Sequence, residues 1–172
     1  MLASGTLITA TPWLHENIDY PLRDWVQSSQ PERLYFDDWL QFVPVVSVLL
    51  LKGVGLESRH DFFDLVTISG GSCILGHTVN SLIKNTCSVA RPGKPDECNS
   101  FTSGHTLFAF MGAEILRREY GEDYPLVAIA GYLVATGVAC MRIWNDRHYF
   151  SDVLGGAGLA LLSVGVIYSL VP

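Results

Sequence analysis

PLVAIAGYLVATGVACM (residues 125–141) and VLGGAGLALLSVGVIYSLVP (153–172) are two of the most apolar stretches in this chain, and RIWNDRHYFSD (142–152) lies between them. A spanning helix needs about 20 apolar residues, with ~17 as a lower limit, and both stretches meet it. A loop that merely joined two helices would need only a few polar residues. This one holds Arg142, Arg147, His148, Asp146 and Asp152, the side-chain types that bind and attack phosphate.

Three further apolar segments precede this pair: 39–56, broken by Pro44 and Lys52; 62–83; and 105–116, a short one that carries Glu114 and reaches spanning length only if it extends to about residue 120. Glycines recur through these segments. Each would cost up to ~1 kcal/mol inside a soluble helix, whereas in a membrane they let helix backbones approach, and Gly156 with Ala160 has the small-xxx-small spacing. Charged residues are only 16% of the chain, well below the ~25% of soluble domains. The expected fold is all-α: a bundle of about five to six apolar helices embedded in a membrane, with a glycine-rich soluble bundle as the alternative. The expected organisation is an amphipathic N-terminal segment, 1–38, followed by a helical catalytic domain, 39–172.

Other features narrow the field. A net charge of −6 gives no general surface for nucleic acid, and nucleic acid is not an expected partner. The four cysteines form no CxxC pair, so a zinc site is not expected. The opening MLASGTLITA has no basic residue ahead of a long apolar run and does not read as a signal peptide. Trp25, Tyr35, Phe36 and Trp39 alternate with charges, suiting either a membrane interface or packing on the rest of the domain.

The connecting loops alternate in character. Loops 57–61 and 117–124 are ordinary charged turns, while 85–104 and 142–152 are chemically loaded. Helices that each cross once bring the loaded pair to one face. Lys84, Arg91, Lys94, Arg142 and Arg147 then gather there, five of the chain's 11 basic residues. Ser103-Gly104-His105 falls at the mouth of a helix, whose free N–H groups suit an anion. His148 with Asp152 four residues on has the spacing that lets a carboxylate fix the imidazole tautomer and leave the other nitrogen free to attack phosphorus. His105 is placed to protonate a departing oxygen.

Lys84-x6-Arg91-Pro92, then Ser103-Gly104-His105, then Arg142-x5-His148-x3-Asp152 together resemble the signature of the type 2 phosphatidic acid phosphatase superfamily. That superfamily includes membrane lipid phosphatases, class A acid phosphatases and vanadium haloperoxidases. Roughly the last 130 residues are covered by the resemblance. Thr102 stands where the family has proline, and Met141 where it has the serine before the arginine; neither carries the phosphate.

The resemblance implies a phosphoric monoester hydrolase. His148 is the implied phosphohistidine-forming nucleophile, Asp152 its orienting partner, and His105 the general acid that later activates water. Lys84, Arg91, Arg142, Ser103 and Gly104 are the implied phosphate ligands, without metal or cofactor. The implied substrate is a lipid phosphate monoester or pyrophosphate, with the membrane as a partner and no obligatory protein partner. The implied location is the bacterial inner membrane, multi-pass, with the site facing the periplasm. Alternatives are a soluble acid phosphatase, a vanadate-dependent haloperoxidase and a non-catalytic phospholipid-binding protein.

Weaker expectations complete the reading. On a periplasmic face Cys87 and Cys98 could form a disulfide, or remain free thiols; Cys73 and Cys140 read as inert packing. His77 and Asn80, just before Lys84, are expected to support the phosphate cradle by an interhelical hydrogen bond, with a substrate contact as the alternative. His15 and His60 read as surface residues.

Overall fold

The computed structural model describes residues 12–29 and 32–171; the opening ten residues considered above lie outside them. A π-turn, His15–Asp19, runs directly into α1, Tyr20–Gln27. A short helix, α2 (Asp37–Leu40), leads into α3 (Val43–Gly53), which has Pro44 in its first turn, where proline's missing N–H costs nothing. Four longer helices follow: α4, Phe62–Cys87; α5, Gly104–Tyr120; α6, Pro125–Trp144; and α7, Phe150–Tyr168. No strand occurs among the described residues, and the all-α expectation holds.

Sequence punctuation sets these boundaries. Asp61 caps α4 by accepting from Asp64 N–H at 2.9 Å. Ser88 closes the same helix in the left-handed region, with φ 46°. Ser103 caps α5 and Pro125 opens α6. At the start of α7 the Asp152 carboxylate reaches back to accept from Tyr149 N–H at 2.9 Å, so its side chain is fixed by helix-capping geometry.

Helix α5 is the central element. Leu107, Met111, Ile115 and Tyr120 along it are fully buried, packing with Val48 of α3, Leu65 and Ile68 of α4, and Ala160 and Val164 of α7. It reaches residue 120, the extension its length required, but carries Glu114, Arg117, Arg118 and Glu119. Among the described residues, three helices are long and apolar enough to cross a membrane: α4, α6 and α7. At 11 residues, α3 is shorter than the 39–56 segment suggested, because the chain turns at 41–42 before Pro44.

The spanning helices turn apolar side chains outward. Ile74, Leu126 and Leu162 are each about 70% exposed or more, an arrangement that suits acyl chains rather than water. Glycines let α7 press close. A Cβ on Gly156 would lie 2.5 Å from the Ser103 carbonyl oxygen, and one on Gly155 would lie 2.7 Å from the Phe101 ring. These two positions seat α7 against the segment leading into α5.

The helices alternate in direction, so the 88–103 and 145–149 loops meet at one end. Gly93 N–H donates to the Asp146 carbonyl, and Ser103 N–H to the Asp152 carbonyl, both at 3.0 Å. The opposite end is closed by a separate network. There His60 Nδ1 lies 2.8 Å from Glu119 Oε1 and the His60 ring packs edge-on against Tyr168. His60 is therefore a half-buried partner of Glu119 and not a surface residue. His15 is likewise packed, between the rings of Tyr20 and Tyr149.

The N-terminal segment docks on the loop end as well as exposing aromatics. Arg23 binds both oxygens of Asp146, at 2.7 and 2.9 Å, and donates to the Pro92 carbonyl. Buried Asp19 accepts from Ser151 N–H and Oγ–H in the first turn of α7, where a carboxylate meets the positive helix end.

Candidate active site

His148 sits in the turn between α6 and α7 and is almost fully buried. Its Nδ1 lies 3.4 Å from Asp152 Oδ2, which points the ring's Nε2 away from the carboxylate. That carboxylate is itself pinned. It accepts from Tyr149 N–H and, at 2.5 Å, from Ser100 Oγ–H, and Ser100 Oγ is also 3.4 Å from His148 Nδ1. Ser100, fully buried in the other loaded loop, thus completes a three-residue cluster across the two loops. Burial pushes the His148 imidazole down to about 4, reinforced by the positive charges of Arg142 and Arg91 and opposed by Asp152. The ring is neutral at physiological pH, the form in which a nitrogen lone pair is available.

The three expected cations converge beside this histidine. Lys84, in the last turn of α4, and Arg91 are close enough to each other and to Arg142 for their charges to interact. Loop groups hold two of them in place: Lys84 Nζ donates to the Asn99 carbonyl at 2.5 Å, and Arg91 Nε to Asn99 Oδ1 at 2.7 Å. Arg142, buried at the end of α6, donates one Nη1–H to Asp37 Oδ2 at 2.6 Å. Its Nε has no partner among the described residues, so most of its five donors remain for an anion.

Ser103 and Gly104 form the entry to α5. Ser103 Oγ accepts from Thr106 Oγ1–H at 3.0 Å and lies 3.5 Å from Thr106 N, leaving its own hydroxyl proton uncommitted. Gly104 begins the helix, where backbone N–H groups have no intrahelical acceptor. Asn80 supports this corner from α4, accepting from Thr102 Oγ1–H at 2.6 Å. Asn80 supplies a supporting hydrogen bond, but to the loop residue ahead of α5 and not between two helices, while His77 stacks on Phe108. Thr102, standing where the signature has proline, supplies the donor. Cys87 and Cys98 are free, exposed thiols.

His105 follows in the first turn of α5. Its Nε2 lies 2.8 Å from Asp38 Oδ1. Burial and the Arg142 charge push its imidazole below the usual histidine range, with Asp38 and Asp37 pulling the other way. Asp37, Asp38 and His105 place their ligand atoms within 4.8 Å of one another, a spacing that can hold a cation. The Arg142 guanidinium already occupies that role, at 2.6 Å from Asp37 and 3.9 Å from Asp38.

All eight residues singled out from the sequence therefore lie at one end of the bundle. Reading the sequence missed Ser100, Asp37, Asp38 and Asn145. Asn145, buried beside Arg142, clamps the N-terminal segment by accepting from Leu34 N–H at 2.8 Å and donating to the Leu34 carbonyl at 2.6 Å. The Asp-Asp pair was the one visible signal: two adjacent acids within an aromatic run.

The PAP2 superfamily model matches residues 65–172. A lipid A 1-phosphatase of Porphyromonas gingivalis is 36% identical over 128 residues, which is 73% of this chain and 28% of that protein, so the chain spans little more than a quarter of that relative. Two crystal structures share the fold. Aquifex aeolicus LpxE superposes with a TM-score of 0.66 at 17% identity, covering 88% of this chain and 94% of the other. The first transmembrane PAP2 type phosphatidylglycerolphosphate phosphatase from Bacillus subtilis gives 0.52 at 20% identity, covering 92% and 77%.

Proposed function

Because this chain belongs to the PAP2 superfamily, we propose that it is a membrane lipid phosphatase. It cleaves a phosphate monoester or pyrophosphate through a phosphohistidine, without a metal. The observation that carries this reading is the convergence of Lys84, Arg91 and Arg142 on a buried, neutral histidine backed by a carboxylate. Phosphoryl transfer asks little more of a protein than in-line positioning, neutralised oxygens, a nucleophile and an acid for the leaving group.

In the first step His148 Nε2 attacks phosphorus while His105 gives a proton to the departing lipid oxygen. Lys84, Arg91 and Arg142 hold the equatorial oxygens, with Ser103 and the Gly104 N–H. In the second step His105, now deprotonated, takes a proton from water. The resulting attack frees inorganic phosphate and restores His148. Asp152, held by Ser100 and Tyr149 N–H, keeps the His148 tautomer and stabilises the charge that develops on its ring.

The bundle 39–172 is the catalytic unit, with 1–38 as an amphipathic segment. The location is the bacterial inner membrane, with the site toward the periplasm. Phosphatidic acid, phosphatidylglycerophosphate, undecaprenyl pyrophosphate and lipid A phosphates are the substrates to compare, and the Porphyromonas relative favours the last. Phosphate release from that panel, with EDTA and vanadate as controls, tests the reading. Turnover that survives EDTA and is inhibited by vanadate is expected. Loss of turnover in EDTA would overturn the metal-free histidine mechanism, and unchanged release by His148→Ala would overturn the assignment of the nucleophile.

A further inference from the structure

Arg33 and Arg147 take no part in the chemistry above. Both line a cleft of about 180 Å³ beside Arg142, together with Asp37, Asp38 and Asn145. The acids of that cleft are committed, Asp37 to Arg142 and Asp38 to His105. Of the other arginines, Arg23, Arg91, Arg117, Arg118 and Arg142 are each paired with a carboxylate. Arg33 and Arg147, like Arg59 at the opposite end beside Glu119, make neither an ion pair nor a side-chain hydrogen bond among the described residues, and these two alone share a cleft.

Their placement is built into the backbone. Asn145 holds both polar groups of Leu34, and Trp144 Nε1–H donates to the Glu32 carbonyl at 2.9 Å, which fixes the 32–35 segment against the α6 end. Arg147 N–H donates to the Arg142 carbonyl at 3.0 Å, keeping Arg147 next to the phosphate anchor. The Arg147 charge also bears on Arg91, so it borders the cradle as well as the cleft. Two unpaired guanidiniums brought to one polar cleft repel each other unless an anion lies between them, and guanidinium donors match phosphate oxygens bidentately.

We propose that Arg33 and Arg147 form a second anion subsite, which receives a second phosphoryl group of the substrate beside the one being cleaved. This rests on the lipid phosphatase reading. The second group has two sources with the same chemistry: the adjoining phosphoryl of a diphosphate ester, or a separate phosphate on a bisphosphorylated headgroup. Arg33 and Arg147 are specificity-determining residues here, and lie outside the machinery that cleaves a single phosphate.

The test compares the detergent-solubilised full chain with its Arg33→Gln, Arg147→Gln double variant. Calorimetric titration with inorganic pyrophosphate and with orthophosphate is the first measurement. The wild type should bind pyrophosphate about tenfold more tightly, and the variant should bind both alike. In turnover, kcat/KM of the variant should fall about tenfold or more on doubly phosphorylated lipids and stay unchanged on their singly phosphorylated counterparts. A loss confined to the lipid diphosphate assigns the first source, and one confined to the bisphosphorylated glycolipid assigns the second. Equal losses on single and double phosphates, or no loss on either with no binding gap, would overturn the subsite. A wild type that turns over no lipid phosphate yet keeps the pyrophosphate gap would overturn the phosphatase reading and support the subsite.

Discussion

Asp152 does more than face His148. One carboxylate oxygen accepts from Ser100 Oγ–H and Tyr149 N–H and lies 3.4 Å from the imidazole. Asp152→Asn keeps the shape and loses the charge and tautomer control, so kcat should fall on the order of 10³- to 10⁴-fold in a steady-state lipid phosphate assay. Ser100→Ala, which removes one of the two donors, should cost about tenfold. If Asp152→Asn retained near-wild-type kcat, the carboxylate would have no catalytic part. Histidine ionisation gives a further prediction. Asp38, bonded to His105, opposes the lowering of its pKa more than Asp37 does, and the acid form is what the leaving group needs. Asp38→Asn should therefore move the alkaline limb of the kcat–pH profile to lower pH, and an unmoved limb would remove Asp38 from that role. His148, held near 4 when folded, acts on stability instead. Between its ordinary value near 6.5 and about 4 the unfolded chain takes up a proton that the folded one refuses, so stability is lost as the pH drops from 6.5 to about 4 and is untouched above that window.

At the scale of elements, the contact between α7 and the entry to α5 sets the site's geometry. Gly156 lies against the Ser103 carbonyl with no room for a methyl group. Gly156→Ala should destabilise the bundle by about 1–3 kcal/mol in detergent unfolding and reduce activity with it. Gly137→Ala, at a position with nothing within 4 Å, should be neutral or stabilising by up to ~1 kcal/mol. Similar effects at both would mean that helix propensity, not close approach, governs these glycines. Helices α4 to α7 were legible because long apolar runs and their punctuation are local signals, as were Lys84, His105 and Arg142 at the helix ends and Arg91 and His148 in the loops between them. The break before α3 and the burial of His60 were not. The first depends on how Pro44 packs against Gly112, the second on Glu119, 59 residues away. Ser100 was invisible for the same reason, since nothing in its neighbourhood marks it. The Asp37–Asp38 pair showed only as two adjacent acids in an aromatic run, and the meeting of distant segments is what gives all three a task.

Over the whole molecule, one end carries the candidate site and the other a buried polar lock. Glu119 takes His60 and Tyr168, and Glu114 takes Arg117, Arg118 and Tyr132. With α4, α6 and α7 presenting apolar faces, the full chain should stay with the membrane pellet after carbonate extraction and require detergent for release. Recovery in the soluble fraction would contradict the membrane reading. The N-terminal segment belongs functionally to the chemical end, since Asp37 anchors Arg142 and Arg23 grips Asp146. Asp37→Asn, which leaves a buried guanidinium without its counter-charge, should cost about 3 kcal/mol or more of stability, read from denaturation in detergent.

The chain's four tryptophans, Trp13, Trp25, Trp39 and Trp144, are all exposed, and Trp25, Trp39 and Trp144 belong to the elements that carry or brace the phosphate cradle. Indole rings settle at the boundary between headgroups and hydrocarbon, so on the proposed lipid phosphatase function the cradle would work within a two-dimensional solution. Its substrate concentration would then be a mole fraction in the surrounding film, not a molarity. Diluting the lipid phosphate with inert detergent at constant bulk concentration should then slow the reaction in proportion, and a rate indifferent to such dilution would mean that substrate arrives from water.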